Sequence, residues 1–245
     1  MEWRERDGIE WLEAKLPGAT VCFTTRLGGV SESPFDRLNL GILTDDERAA
    51  VLENRRRLAA ALGIDGARVA MGRQVHGSEL AEHGAGPVAP HFLDPGDPPV
   101  EVDGHLTAEP GLPMLVLVAD CLPVALTGPG GLAMLHCGWR GLAGTIVEDA
   151  AARIGATHAA VGPGIGPCCF EVGEEVFAAF ADLGDGLRDD RNLDLPEVAR
   201  RKLARAGVTA TESAGICTFC DAERFYSHRR DEGVTGRQGG IAWIG

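Results

Sequence analysis

The sequence has no apolar run approaching the length that crosses a bilayer, and Met1 to Lys15 is rich in charge without the apolar middle of a signal peptide. A cytoplasmic protein with no membrane partner is expected. Positive charge is scarce: 23 Lys and Arg stand against 36 Asp and Glu, for a formal net charge of −13, and no basic stripe with interleaved aromatics offsets it. Such a chain repels a phosphate backbone, so no nucleic acid is expected as partner. Histidine is sparse as well. There are seven, none in an H-x-H pair, so a multicopper centre lacks its imidazoles. No G-x-G-x-x-G stands between a strand and a helix with a properly spaced acidic residue, which argues against a dinucleotide fold. The zinc deaminase signature, H-x-E with P-C-x-x-C, is also absent. The seven cysteines are an odd number in a chain too long to need disulfide staples, and they read as reduced thiols used for metal binding or burial.

What is present is 245 residues, 44% of them hydrophobic, enough to bury a sizeable core in a single mixed α/β domain over 1–245 with sheets inside and helices outside. The chain is organised around Met114 to Gly141. Met114 to Ala119 is an apolar, partly β-branched run of the kind buried on both faces of a sheet, and it stops at Asp120-Cys121. After the Gly128-Pro129-Gly130-Gly131 turn, Leu132 to Leu135 runs into His136-Cys137-Gly138-Trp139-Arg140-Gly141. Adjacent strand residues point to opposite faces, so one member of each pair, Cys121 and His136, can share a pocket. His76, in Arg73-Gln74-Val75-His76-Gly77, offers a third ligand at another glycine-closed strand end. A cysteine or histidine taken singly is more often a packed core residue. These three differ in that each ends an apolar run beside glycine or proline. Two His and one Cys form a catalytic-type zinc set with one open position, and copper is the alternative occupant.

The segments RQVHG (73–77), ADCLPV (119–124), HCGWRG (136–141), GPGIGPCCFEVG (162–173) and FYSHRRDEGVTG (225–236) resemble the laccase-domain family. That family was labelled first multicopper polyphenol oxidase and later purine nucleoside phosphorylase, and it includes the bacterial peptidoglycan editing factor. The resemblance runs from about Thr24 to the C-terminus. It implies a layered α/β/β/α fold, zinc on His76, Cys121 and His136 as the catalytic centre, and Arg26 and Asn39 lining the pocket. It also implies a purine nucleoside and phosphate as substrates: adenosine, inosine or methylthioadenosine cleaved with phosphate, with adenosine deamination as a further activity. Three other readings stand beside it: a cysteine hydrolase with Cys121 as nucleophile acting on peptidoglycan precursors, a copper-dependent polyphenol oxidase, and a zinc-stabilised binding module.

Elsewhere, Val21 to Thr25 reads as the first strand, followed by a glycine-rich loop from Arg26 that suits an anion. Thr44 to Glu47 fits a capping box for a helix that Gly63 stops, with one of Arg55, Arg56 and Arg57 turned inward. Glu82 to Asp103 reads as a long irregular connection whose His83 and His91 are solvated. His105 sits where an apolar residue is expected. A helix from Ile146 to Ile154 is expected to aim its N-terminus at the HCGWRG turn and, with Arg140, to seat phosphate. Helices are also expected near Glu174 to Leu183 and from Leu195 to Ala206. The vicinal Cys168-Cys169 is a poor chelate for one ion, and Cys217-x-x-Cys220 is weak without a second pair, so all four are left outside the metal site. One metal ion per chain is expected.

Overall fold

The structure, a computed structural model, describes residues 1–96 and 98–245. In chain order its elements are β1 (Glu2–Arg6), β2 (Ile9–Leu16), β3 (Ala19–Thr24), α1 (Arg48–Leu62), β4 (Leu80–His83), β5 (Gly104–Thr107), β6 (Met114–Val118), β7 (Leu122–Gly128) and β8 (Gly131–Cys137). There follow α2 (Trp139–Ala143), α3 (Ile146–Ile154), β9 (His158–Val161), α4 (Glu174–Ala178), β10 (Arg188–Asp189), β11 (Asn192–Leu193), α5 (Leu195–Arg205), β12 (Ala210–Ser213) and β13 (Gln238–Ile244). One sheet has the order β1-β2-β3-β13-β6 and the other β12-β9-β7-β8-β5-β4. The C-terminal β13 is antiparallel to both β3 and β6, so the last strand of the chain closes the middle of the first sheet.

Three apolar clusters define the layers. Leu12, Val21, Phe23, Met114 and Val116 of the first sheet meet Ala125, Leu132, Met134 and Ala160 of the second. The outer face of the first sheet, through Trp11, Cys22, Leu115 and Ile241, packs on Leu58 and Ala59 of α1. The outer face of the second, through Leu122, Val124, Leu126, Ala133 and Leu135, packs on α3 and α5. Strand alternation sends successive residues to these separate cores, and the result is the expected α/β/β/α order.

Several local expectations hold. Gly63 ends α1 in the left-handed conformation (φ 69°) and Gly155 ends α3 in the same way (φ 60°). Asp194 caps α5, its carboxylate accepting from the Glu197 amide at 2.9 Å. Three differ. The chain makes two strands before Val21: the charges at its start lie on the wholly exposed β1, while Ile9, Trp11, Leu12, Ala14 and Leu16 of β2 are buried. The capping box does not form, because α1 starts only at Arg48 and the Thr44 hydroxyl instead donates to the Gly41 carbonyl (2.7 Å) and accepts from Asn39 (2.9 Å). The irregular connection expected from Glu82 starts later, because Glu82 and His83 pair with β5 as part of β4 and His83 is half-buried against His105 instead of solvated; from there to β5 the described residues form no helix or strand, and residue 97 lies outside them. Among the described residues no helix is long and apolar enough to cross a membrane.

Candidate metal centre

His76, Cys121 and His136 come together, each offering one ligand atom, all within 4.8 Å of one another. His136 stands near the end of β8 on the face that carries Leu132 and Met134, while its neighbour Cys137 turns into the helix-side core. Cys121 lies in the tight turn between β6 and β7, where Asp120 takes a positive φ of 87°. His76 also has a positive φ, 62°, rare for a side chain of this size. Asp103 accounts for it: its carboxylate accepts from the amides of Val75 (3.1 Å), His76 (2.9 Å) and Gly77 (2.7 Å). The same carboxylate bonds His136 Nδ1 at 2.7 Å. One acid therefore sets the backbone of one histidine and the ring of the other, and leaves His136 Nε2 free to ligate.

The electrostatics follow from this packing. Burial works against a charge on Asp103, but the His136 ring and the Gly77 and Val75 amides outweigh it and hold the carboxyl below its ordinary value. Burial would raise the Cys121 thiol, yet the charge of His136 and hydrogen bonds from His136 and His76 bring it down to about 6. His136 moves oppositely: burial disfavours its cation, but the Cys121 thiolate and Asp103 lift it to about 9. Ionised sulfur beside two imidazoles suits a borderline-soft divalent ion, and an exposed His76 beside a half-buried Cys121 and a buried His136 leaves one side open. Gly138 makes room for the set, since a Cβ there would stand 2.9 Å from Cys121 Sγ and 3.1 Å from a carbon of His76. The residues fit a three-ligand metal.

The proposed substrate residues are placed less uniformly. Arg140 is exposed, lies 4.4 Å over the Trp139 ring, and makes no side-chain hydrogen bond among the described residues. Arg26 is bound to Asp36 (2.7 Å) and to the Ala222 carbonyl (3.3 Å) and stacks over Tyr226 at 4.4 Å. Asn39 is fully buried and has no free hydrogen-bonding atom: its amide donates to Thr44 and Asp46, each at 2.9 Å, and its oxygen accepts from Gly41 (2.9 Å) and Arg237 (2.8 Å). It braces the loop instead of offering contacts to a ligand. The expected phosphate seat at α3 also changes. The Trp139, Arg140 and Gly141 of HCGWRG themselves belong to the five-residue α2, and the first turn of α3 already holds Glu148 and Asp149. Arg229 and Arg230 donate to the carbonyls of Glu171, Thr218, Phe219 and Phe225, so they position their segment.

Three contributors escape the sequence reading. Asp103, the last residue of the connection expected from Glu82, carries no spacing along the chain that assigns it a role. Asp120 accepts from the Thr218 hydroxyl and the Arg229 amide, both at 2.7 Å, and so ties the Cys121 turn to the C-terminal region. Burial pushes the Arg237 guanidinium down while nearby Cys121 and Asp120 oppose this, which puts a further cation in the field of the site. The expectation of a single metal-capable set is also corrected, because Cys168, Cys169, Cys217 and Cys220 converge within 4.8 Å as a second group.

Residues 20–245 match the family described as multi-copper polyphenol oxidoreductase laccase. The chain is 38% identical to a purine nucleoside phosphorylase of Pseudomonas aeruginosa over 96% of its own length and 98% of that protein. It is 41% identical to a purine nucleoside phosphorylase of Deinococcus radiodurans, covering 94% of this chain and 91% of that one. The crystal structure of YlmD from Geobacillus stearothermophilus superimposes with a TM-score of 0.90 at 33% identity, over 98% of this chain and 97% of that one. The chain belongs to the multi-copper polyphenol oxidoreductase laccase family, as its five motifs led one to expect.

Proposed function

We propose that this chain is a zinc-dependent purine nucleoside phosphorylase that cleaves adenosine, inosine and methylthioadenosine with phosphate and also deaminates adenosine. The observation that carries the reading is the open His76, Cys121 and His136 set, with His136 oriented by Asp103 at 2.7 Å and an uncommitted Arg140 close by in sequence. The names of the relatives support the choice of substrate. His76, Cys121 and His136 would hold the ion, which when bound supplies a Lewis acid for orienting phosphate and taking up developing charge. In phosphorolysis the bond from C1′ of the ribose to the base nitrogen breaks, a bond from C1′ to a phosphate oxygen forms, and the departing base takes a proton. Arg140 holds the anion, and Arg237 lowers the cost of bringing negative charge beside Cys121. Asp103 keeps both histidines in place, and the exposed side at His76 admits the nucleoside. A cytoplasmic setting, with its reduced thiols, belongs to the same reading.

The test is a nucleoside panel assayed on zinc-loaded protein with and without phosphate. Base release that requires phosphate is expected, and Arg140→Ala should raise the KM for phosphate about tenfold or more while affecting phosphate-independent turnover little. Equal losses in both would make Arg140 a structural residue, and no base release from any nucleoside would sink the reading.

A second reading has its own observation. With the Cys121 thiol at about 6 and His136 at about 9, the metal-free pair is a thiolate and an imidazolium, the arrangement of a cysteine hydrolase acting on an amide such as a peptidoglycan precursor. Copper as occupant, with oxidation of phenols, is the remaining alternative, and metal analysis of protein purified without added metal separates it from zinc.

A further inference from the structure

The four cysteines outside the catalytic set come from two segments about fifty residues apart. Cys168 and Cys169 lie in the helical turn after Pro167, where the Cys169 and Phe170 amides both donate to the Gly166 carbonyl (3.0 and 3.1 Å). Cys217 and Cys220 flank the turn after β12. The loops are zipped together: the Gly164 amide donates to the Ile216 carbonyl (3.2 Å), and the Thr218 amide returns a bond to Gly164 (3.0 Å). At this junction Cys168 Sγ is 3.6 Å from Cys220 Sγ, Cys169 Sγ is 3.5 Å from both Cys168 Sγ and Cys220 Sγ, and all four sulfurs lie within 4.8 Å of one another.

We propose that Cys168, Cys169, Cys217 and Cys220 form a second, structural metal site, a closed tetrathiolate that takes zinc or another soft divalent ion. A zinc bound at about 2.3 Å to four sulfurs sets them about 3.8 Å apart along the edges of a tetrahedron, close to the separations found here. Those separations are too long for a disulfide, whose sulfurs stand about 2.05 Å apart. Four thiolates complete the coordination of one ion and leave no position for substrate, which distinguishes this site from the open one at His76. The surroundings are shaped for it. The Gly166 amide donates to Cys217 Sγ at 3.2 Å, and a Cβ on Gly166 would crowd Cys217 Cβ (3.3 Å) and Cys168 Sγ (3.4 Å).

The site clamps the two segments that hold the Cys121 turn. The Ile165 amide donates to the Asp120 carbonyl (2.8 Å) and the Thr218 hydroxyl to the Asp120 carboxylate (2.7 Å), so the ion cross-links both supports of Asp120. Vicinal cysteines are ordinarily a poor chelate for one ion, but the turn at Cys168 and Cys169 sets their sulfurs side by side, 3.5 Å apart.

The experiment is metal analysis of purified full-length protein, made with zinc in the medium, together with two paired variants. Wild type is expected to hold about two zinc ions per chain, Cys217→Ser/Cys220→Ser about one, and His76→Ala/His136→Ala about one. Cobalt loaded into the histidine variant should then give the intense sulfur-to-cobalt charge-transfer absorption of a four-thiolate site, a readout that holds even if the cysteine variant misfolds. One zinc in wild type with none in the histidine variant would overturn the proposal. So would a Cys168 to Cys220 disulfide in the native protein, or four thiols that react with a thiol reagent equally fast with and without zinc.

Discussion

Asp103 shows how much of the centre depends on one side chain that is not itself a ligand. It accepts three amide bonds that hold His76 in its left-handed conformation and one from the His136 ring. An Asn there keeps the shape but gives one oxygen to four donors, with an NH₂ facing some of them. Asp103→Asn is expected to weaken zinc affinity roughly 10- to 100-fold, measured by competition with a chelator, with activity lost in parallel. Unchanged affinity would mean that Asp103 only shapes the loop. His105, two residues on, departs from the expected apolar residue for a different effect. It is buried, its Nδ1 meets His83 Nε2 at 3.0 Å, and its Nε2 has no partner among the described residues. Burial first, then the charge of His83, bring its pKa from 6.5 down to about 3, with Asp103 opposing. Between those values the unfolded chain binds a proton that the folded one refuses. Stability present above pH 6.5 is therefore lost as pH falls toward 3, by roughly 1 kcal/mol already near pH 5.5. His105→Leu should flatten that part of the urea-unfolding profile, and an unaltered slope would place the acid sensitivity elsewhere.

At the scale of elements, α1 serves as an anchor for two loops. Of its three consecutive arginines it is Arg55 that turns inward, fully buried. Nε and Nη2 donate to the Leu40 carbonyl (2.9 and 2.7 Å), and Nη1 donates to those of Phe92 (2.9 Å) and His91 (3.1 Å). Burial, followed by the charge of Arg48, lowers its pKa to about 10, still well above neutral pH. The guanidinium replaces backbone partners that two irregular segments cannot find in each other. Arg55→Ala leaves buried carbonyls unpaired beside a cavity and is expected to cost about 3 kcal/mol in denaturant unfolding. Arg55→Lys should recover only part, because three donors on one nitrogen cannot span both loops. A loss under about 0.5 kcal/mol would show that water replaces the guanidinium at no cost.

For the whole molecule, the three apolar cores are assembled from residues of β2, β3, β6 to β8, β13 and the helices, and none includes His76, Cys121 or His136. Protein that has lost the ion at His76, Cys121 and His136 alone should therefore keep its far-UV circular dichroism while losing phosphorolysis, and zinc returned to that site should restore it. Stripped protein that remains fully active, and is inactivated by alkylation at Cys121, would transfer the chemistry to the thiolate. The sequence by itself determined what is local: the doubly buried strand at Met114, the C-terminal ends of α1 and α3, the cap of α5, and, by strand alternation, that His136 and not Cys137 could face a shared pocket; Asp120-Cys121 lies in a turn, where alternation does not apply. Periodicity and turn chemistry act over a few residues, so they can be read along the chain. Only the tertiary structure decided that Asp103 joins two histidines, that the polar atoms of Asn39 are spent inside the loop, that a short α2 intervenes before α3, and that cysteines about fifty residues apart meet as four. Those outcomes depend on which segments pack together, and that is set by the summed burial of two sheets and their helices, a quantity that no spacing within one segment contains.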